Sequence, residues 1–168
     1  MLDVGTSDKD DEKVGGEVKA LSLLQPWATL VATNEKRIET RSWPTNYRGE
    51  IYIHASKGFS RWQKELCQQA PFKSALLRHK FMTPGCRVLG LSELPLGMII
   101  ASCKIADCVK ITGDFRDSLS ENEFDFGDYT LGRFAWILKD IWMLAEPVPA
   151  KGNLGIWNWE RSDQNASS

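Results

Sequence analysis

Lys36, Glu39 and Arg41 are grouped in the run Asn34-Glu35-Lys36-Arg37-Ile38-Glu39-Thr40-Arg41-Ser42-Trp43. Residues 37–41 alternate as a strand does, so Glu39 and Arg41 project from one face, about 6.6 Å apart. Lys36 sits in the preceding turn and can swing to the same side. Arg41 offers a planar fork that holds a phosphate with two hydrogen bonds. Lys36 adds a mobile point charge. Glu39 can orient Arg41 or accept from a base-edge amine such as cytosine N4. Were the set catalytic, Lys36 and Glu39 would be its acid–base pair. The basic neighbours keep the Glu39 carboxylate ionised, which suits holding a ligand better than donating a proton. On spacing alone, a salt-bridged strand end is the better account of the three.

Other residues could join them. Gln25 and Trp27 flank Pro26 at the start of a short helix whose first N–H groups favour anions. Trp43 and Tyr47 stand in the turn after the strand, where bases can stack. His54 shares a strand face with Tyr52 and either lines a cleft or is a satisfied core histidine, the second being the better account. Ser56-Lys57 near His54 lacks a nucleophile elbow or triad partner and is better taken as a loop. Lys151 precedes Gly152 in a loop and is a candidate phosphate contact. No Gly-rich phosphate loop occurs, which excludes P-loop nucleotide hydrolysis.

The elements that must position these residues follow from the pattern. Residues 18–24 are predicted as a strand. Pro26 opens a helix with Trp27, Leu30 and Val31 on one stripe, ending near Asn34. Residues 37–41 and 50–55 are strands, and in the second Ile51, Ile53 and Ala55 share a face. Ser60-Arg61-Trp62-Gln63 is a capping box opening a helix that Pro71 stops, and residues 72–80 form another helix closed by Pro84-Gly85. Residues 96–111 are a long central strand. An acidic excursion spans 113–130. Residues 133–139 are a strand, 141–148 an extended edge segment with Pro147 and Pro149, and 156–160 a closing strand. About six strands without βαβ alternation predict a small, mostly antiparallel barrel with flanking helices rather than a doubly wound sheet.

The 168 residues suit one domain, with 42% hydrophobic and 26% charged residues, as in ordinary globular chains. The net charge of -1 hides an asymmetry. Residues 1–17 carry six acids and two bases and are expected to be a disordered acidic tail; 161–168 are expected to be a disordered C-terminal tail. Residues 18–80 carry eleven bases and four acids, whereas 114–128 carry six acids and one base. A basic block interleaved with Trp27, Trp43, Tyr47, Tyr52 and Trp62 suits a polyanion with stackable rings, and the acidic excursion is expected to lie at a distance. Charge alone supports a solvated basic surface equally well. Of seven tryptophans, most are expected in the core and one or two at a site. The four cysteines form no C-x-x-C pair, and only two histidines exist. No metal site and no cofactor are expected, and the thiols are expected to be reduced. No apolar stretch approaches the roughly 20 residues of a membrane helix. The acidic start is unlike a signal peptide, so an intracellular location, cytoplasmic or nuclear, is expected.

Asn34-x-Lys36-x-x-Glu39-x-Arg41 resembles the G-x-K-x-x-E-x-R motif of the ASCH domain family. Leu21-Ser22-Leu23-Leu24-Gln25-Pro26-Trp27-Ala28 before it and Lys151-Gly152-Asn153-Leu154-Gly155-Ile156-Trp157 after it resemble the family's branch of transcriptional coactivators of the activating signal cointegrator type. The likeness spans residues 18–160. Asn34 stands where the family has Gly, and both residues tolerate positive φ. The resemblance implies an α+β fold, a PUA-like, mostly antiparallel β-barrel of about six strands with flanking helices, with the motif in a cleft beside it. It implies nucleic-acid binding, to RNA or single-stranded DNA, in transcription coregulation or RNA metabolism, with transcription or RNA-processing proteins as further partners. Some compact members are similar to nucleases or to amidohydrolases of modified nucleosides, which makes an enzyme using Lys36 and Glu39 the alternative. A protein-interaction domain of a transcription regulator, with the acidic loop 113–128 as its contact, is a third reading. The expected binding set is Gln25, Trp27, Lys36, Glu39, Arg41, Ser42, Trp43, Tyr47, His54, Lys57 and Lys151.

Overall fold

A computed structural model describes residues 17–79 and 93–161. The expected tails, the Pro84-Gly85 stop and Cys86 lie outside the described residues, except that Glu17 and Arg161 are included. Glu17, placed in the tail on sequence, opens the first strand.

Six strands form one curled, mixed sheet in an α+β fold: β1 (Glu17–Leu23), β2 (Ile38–Arg41), β3 (Gly49–Ala55), β4 (Met98–Lys110), β5 (Phe134–Pro149) and β6 (Ile156–Glu160). The order is β2-β5-β4-β3-β1-β6, so the sheet is a half-barrel with β2 and β6 at its ends. Every pairing is antiparallel except β1 with β3. A parallel pair needs a long crossover, and here residues 24–48 supply it, carrying the first helix, α1 (Trp27–Ala32), and β2. The crossover thus delivers the Lys36-Glu39-Arg41 segment to the far edge of the sheet. As its apolar start predicts, β4 is central, between β5 and β3.

Inward positions of β1, β3, β4 and β5, among them Leu21, Ile51, Ile53 and Leu138, pack with Ala28 and Val31 of α1 in the main core. Two helices, α2 (Arg61–Leu66) and α3 (Phe72–Arg78), add a second cluster around Leu30, Cys67 and Phe126. The capping box holds: Gln63 Oε1 accepts from the Ser60 N–H at 2.7 Å. Asn34 adopts φ 63, the left-handed turn its position requires.

Three expectations change. The two segments on either side of Asp140 are one strand: β5 runs through Asp140, which takes φ 49. Only residues 134–137 pair with β2, so the half carrying Pro147 and Pro149 has β4 on one side, consistent with the expected edge. Two short helices, α4 (Gly113–Asp117) and α5 (Glu121–Asp125), stand where an irregular excursion was expected, and Thr112 and Ser120 cap their first turns. The acidic excursion is also not distant from the basic block: Glu123 Oε2 accepts from the Arg37 N–H at 3.0 Å and Oε1 from the Ile38 N–H at 3.2 Å.

Candidate functional site

A cleft of about 780 Å³ opens between β2, the α1 entry, the end of the acidic excursion and the loop before β6. Strand alternation brings Glu39 and Arg41 to it side by side, as the spacing predicts. They pair directly, Arg41 Nε to Glu39 Oε1 at 3.0 Å. Arg41 Nη2 donates to Ser22 O at 3.2 Å, and its guanidinium lies 5.4 Å from the Trp43 ring centre and 5.9 Å from that of Trp136. These contacts fix the fork. Its Nη1 donors and Glu39 Oε2 have no hydrogen-bond partner among the described residues. A rigid donor thus stands beside a rigid acceptor.

Lys36 departs from expectation. It lines the cleft but is 1% exposed, and its ammonium does not swing. Nζ donates to Ile38 O and stands 3.9 Å from Glu123 Oε1. Burial pushes its pKa down, and the nearby Glu39 and Glu123 carboxylates pull it back up. Lys36 therefore supports the strand and supplies buried positive charge, rather than reaching for a phosphate.

The cleft carries three cations, Lys36, Arg41 and Arg133, and three carboxylates, Glu39, Asp125 and Asp128. Its apolar lining includes four aromatic rings, Trp27, Trp43, Phe72 and Phe126, beside four leucines. Trp43 is 46% exposed and presents a free ring area. The arrangement can hold a flat heterocycle by stacking and can hydrogen-bond an edge that carries a donor beside an acceptor.

The sequence profile of the ASCH domain matches residues 21–154, a span that includes every motif residue of this cleft. The chain belongs to the ASCH domain family. It is 30% identical over 137 residues to activating signal cointegrator 1 of Mus musculus, and equally to that of Homo sapiens. The match covers 82% of this chain and 21% of either relative, so the chain spans about a fifth of their length. Among solved structures it is similar to the ASCH protein of Zymomonas mobilis, with TM-score 0.45 and 16% identity over 78% of this chain and 72% of that one.

The ASCH motif and its flanks divide among three places. Trp27, Lys36, Glu39, Arg41, Ser42 and Trp43 line the cleft. His54, Lys57 and Lys151 line a second cavity of about 980 Å³ that adjoins it. Gln25 and Tyr47 line neither. Gln25 is fully buried: Oε1 accepts from the Thr29 N–H at 3.1 Å and Nε2 donates to Pro95 O at 2.8 Å. It caps α1 and ties it to the 93–97 segment. With the Ala28 N–H given to Leu24 O, the start of α1 is not the anion site expected from sequence. Tyr47 donates its hydroxyl to Glu50 O and braces its own turn.

His54 is the buried, satisfied histidine favoured on sequence, and its ring edge also faces the second cavity. Nδ1 lies 3.0 Å from Ser22 Oγ and Nε2 3.0 Å from Ala150 O. A carbonyl only accepts, so Nε2 carries the proton and Nδ1 takes the Ser22 hydroxyl hydrogen. Burial and the neighbouring Lys57 charge push its pKa down, against the Ala150 contact.

Asp125, Asp128 and Arg133 of the cleft, with Glu123 behind it, were not anticipated. A helix-start signal was present at Ser120-x-x-Glu123, but an N-cap gives no tertiary address. Burial raises the thiols of Cys67 and Cys103 to about 11 and about 12, which makes both poor nucleophiles. Among the described residues no group of three or more His, Cys, Asp and Glu side chains is placed to hold a metal ion, and no helix is long and apolar enough to cross a membrane.

Proposed function

We propose that this ASCH domain binds single-stranded nucleic acid, RNA or DNA, by taking one base into the cleft. The observation that carries the proposal is the fixed donor–acceptor pair of Arg41 and Glu39 set between aromatic walls. Every base has a face that stacks on Trp43, and its edge offers hydrogen bonds to the pair. A base inside a duplex cannot enter, which selects single strands, ends or flipped bases. The basic block 18–80 then tracks the backbone. A role in transcription coregulation, in the nucleus or cytoplasm, accords with the similarity to activating signal cointegrator 1, and transcription or RNA-processing proteins would be its further partners.

A hydrolase acting on an acylated nucleoside is the second reading, favoured by one observation: burial of Lys36 drives its amine toward the neutral form. Against it, the same ammonium is held by Ile38 O and faces Glu123, so its proton is bound in place.

The test is the affinity of a labelled single-stranded oligonucleotide measured against salt. Log Kd should vary linearly with log salt, and Arg41→Lys, which keeps the charge but loses the fork, should weaken binding by about 1–3 kcal/mol. A flat salt plot, or no binding near physiological salt, would overturn the proposal. Turnover of RNA or N4-acylated cytidine that Glu39→Gln abolishes would promote the hydrolase.

A further inference from the structure

The second cavity differs in character from the cleft beside it. Its charged lining residues are Lys57 and Lys151, and no carboxylate lines it. Neither lysine has an ion-pair or hydrogen-bond partner among the described residues. Ser22, Ser56, Asn153 and Leu154 line both cavities, so the two share a wall. Leu154, 98% exposed, stands on that wall.

The floor is built rather than incidental. Trp157 Nε1 donates to Ser22 Oγ at 3.1 Å, Ser22 to His54, and His54 to Ala150 O. This chain holds the 150–155 loop against β1 and β3. A Cβ at Gly152 would fall on the His54 ring and within 2.9 Å of Ser22 Oγ, so the backbone passes too close for any side chain. Lys57 lies with its stem over Gly97, where an added Cβ would meet Lys57 Cγ at 2.9 Å. The apolar stem is thereby packed on Gly97, and the Lys57 charge acts on His54 in the same cavity.

We propose that the second cavity is a phosphate site, holding the phosphate joined to the nucleoside whose base occupies the cleft. The proposal rests on the nucleic-acid reading above and adds the path of the strand. In the cleft, charges of both signs balance, and a phosphate there would face Glu39, Asp125 and Asp128. Beyond the shared wall it meets two unpartnered ammonium groups and no acid. Charge therefore sorts the nucleotide: the neutral ring goes to the cleft and the anion to the lysines. Either a free nucleotide or a strand could supply this phosphate, and the probes below separate them.

The experiment uses the full chain and the variant Lys57→Gln/Lys151→Gln, both positions exposed, with thermal melting to confirm an unchanged fold. The probes are a labelled single-stranded octanucleotide across salt, and a nucleoside with its 3′- and 5′-monophosphates by calorimetry. The double variant should bind the octanucleotide about tenfold more weakly at low salt. Its salt slope should be shallower by about 1.4, as expected for two lost single-strand contacts. Nucleoside affinity should not change. A monophosphate that gains over the nucleoside only in the wild type assigns the site to free nucleotides as well as strands. An effect confined to the octanucleotide assigns it to the strand. An octanucleotide that responds to Arg41→Lys but keeps its salt slope in the double variant overturns the phosphate site and leaves the cleft reading standing. No binding by any probe overturns both.

Discussion

Two backbone segments frame the cleft, and they are anchored by opposite means. The start of β2 is held by charge: the Glu123 carboxylate accepts from two successive N–H groups and faces the buried Lys36 ammonium, while the Tyr129 hydroxyl donates to it at 3.2 Å. The 150–155 loop is held by neutral groups, from Trp157 through Ser22 and His54 to Ala150. A charged anchor has lost its hydration and depends on both partners being present. A neutral one needs no counter-charge, but it tolerates neither added volume, because the ring and the loop are in contact, nor a charge placed on one of its own members. The motif strand should therefore break on loss of a charge, and the loop on gain of a methyl group or a proton.

The largest effect is expected at the charged anchor. Glu123→Ala leaves Lys36 buried without this carboxylate and the Arg37 and Ile38 N–H groups at the entry to β2 without an acceptor. Breaking a buried pair in this way costs about 3–5 kcal/mol. Urea unfolding measures it. Lys36→Met combined with Glu123→Gln should recover part of the loss, since no uncompensated buried charge remains. A Glu123→Ala variant within about 1 kcal/mol of the wild type would mean that the contact does not anchor β2.

The same contrast explains what the sequence disclosed. Residues 18–55 were legible because each element there carries its own signal: alternation in β1, β2 and β3, Pro26 before α1, and Asn34 at the left-handed turn. The pairing of Glu39 with Arg41 followed from strand period alone. Glu123 was not legible, because its partners lie more than eighty positions away and an acidic run without periodicity has no address. For the same reason Lys36 passed for a mobile surface lysine. It is buried and faces a carboxylate supplied by the excursion, a contact no local pattern records. Gln25 stands out in the sequence because a polar side chain beside a motif resembles a ligand contact; the structure buries it and uses it to close a helix start. The segments expected at 133–139 and 141–148 are one strand because Asp140 takes a left-handed φ without ending it.

At the neutral anchor, Gly152→Ala sets a methyl group against His54 and Ser22. Overpacking of this kind costs about 1–3 kcal/mol. The expected result is a lower melting temperature together with faster proteolysis within 150–155 and no change around β2. Equal proteolysis at both segments would show that the two anchors form one cooperative unit, and would remove the comparison.

The smallest effect is the dependence of the neutral anchor on pH. Burial depresses the His54 pKa below its ordinary value near 6.5, and Lys57 acts in the same direction. The unfolded chain therefore binds more protons at this residue than the folded chain does, in the window from about 6.5 down to the folded value. Stability from neutral His54 is fully present above about 6.5 and is lost as pH falls through the folded value. Protonation would also reverse the network: Nδ1 would have to donate to Ser22 Oγ, which already accepts from Trp157. Lys57 and Lys151 line the same cavity, and no carboxylate there offsets a third positive charge. His54→Gln, which does not titrate, should cost about 1 kcal/mol at pH 8, where one neutral hydrogen bond is lost. The gap between the two melting curves should close as pH falls from 8 to 5, because only the wild type pays for acidification. Melting temperatures that stay parallel across that range would show that His54 folds equally well charged, and that the loop is held by packing against Gly152 alone.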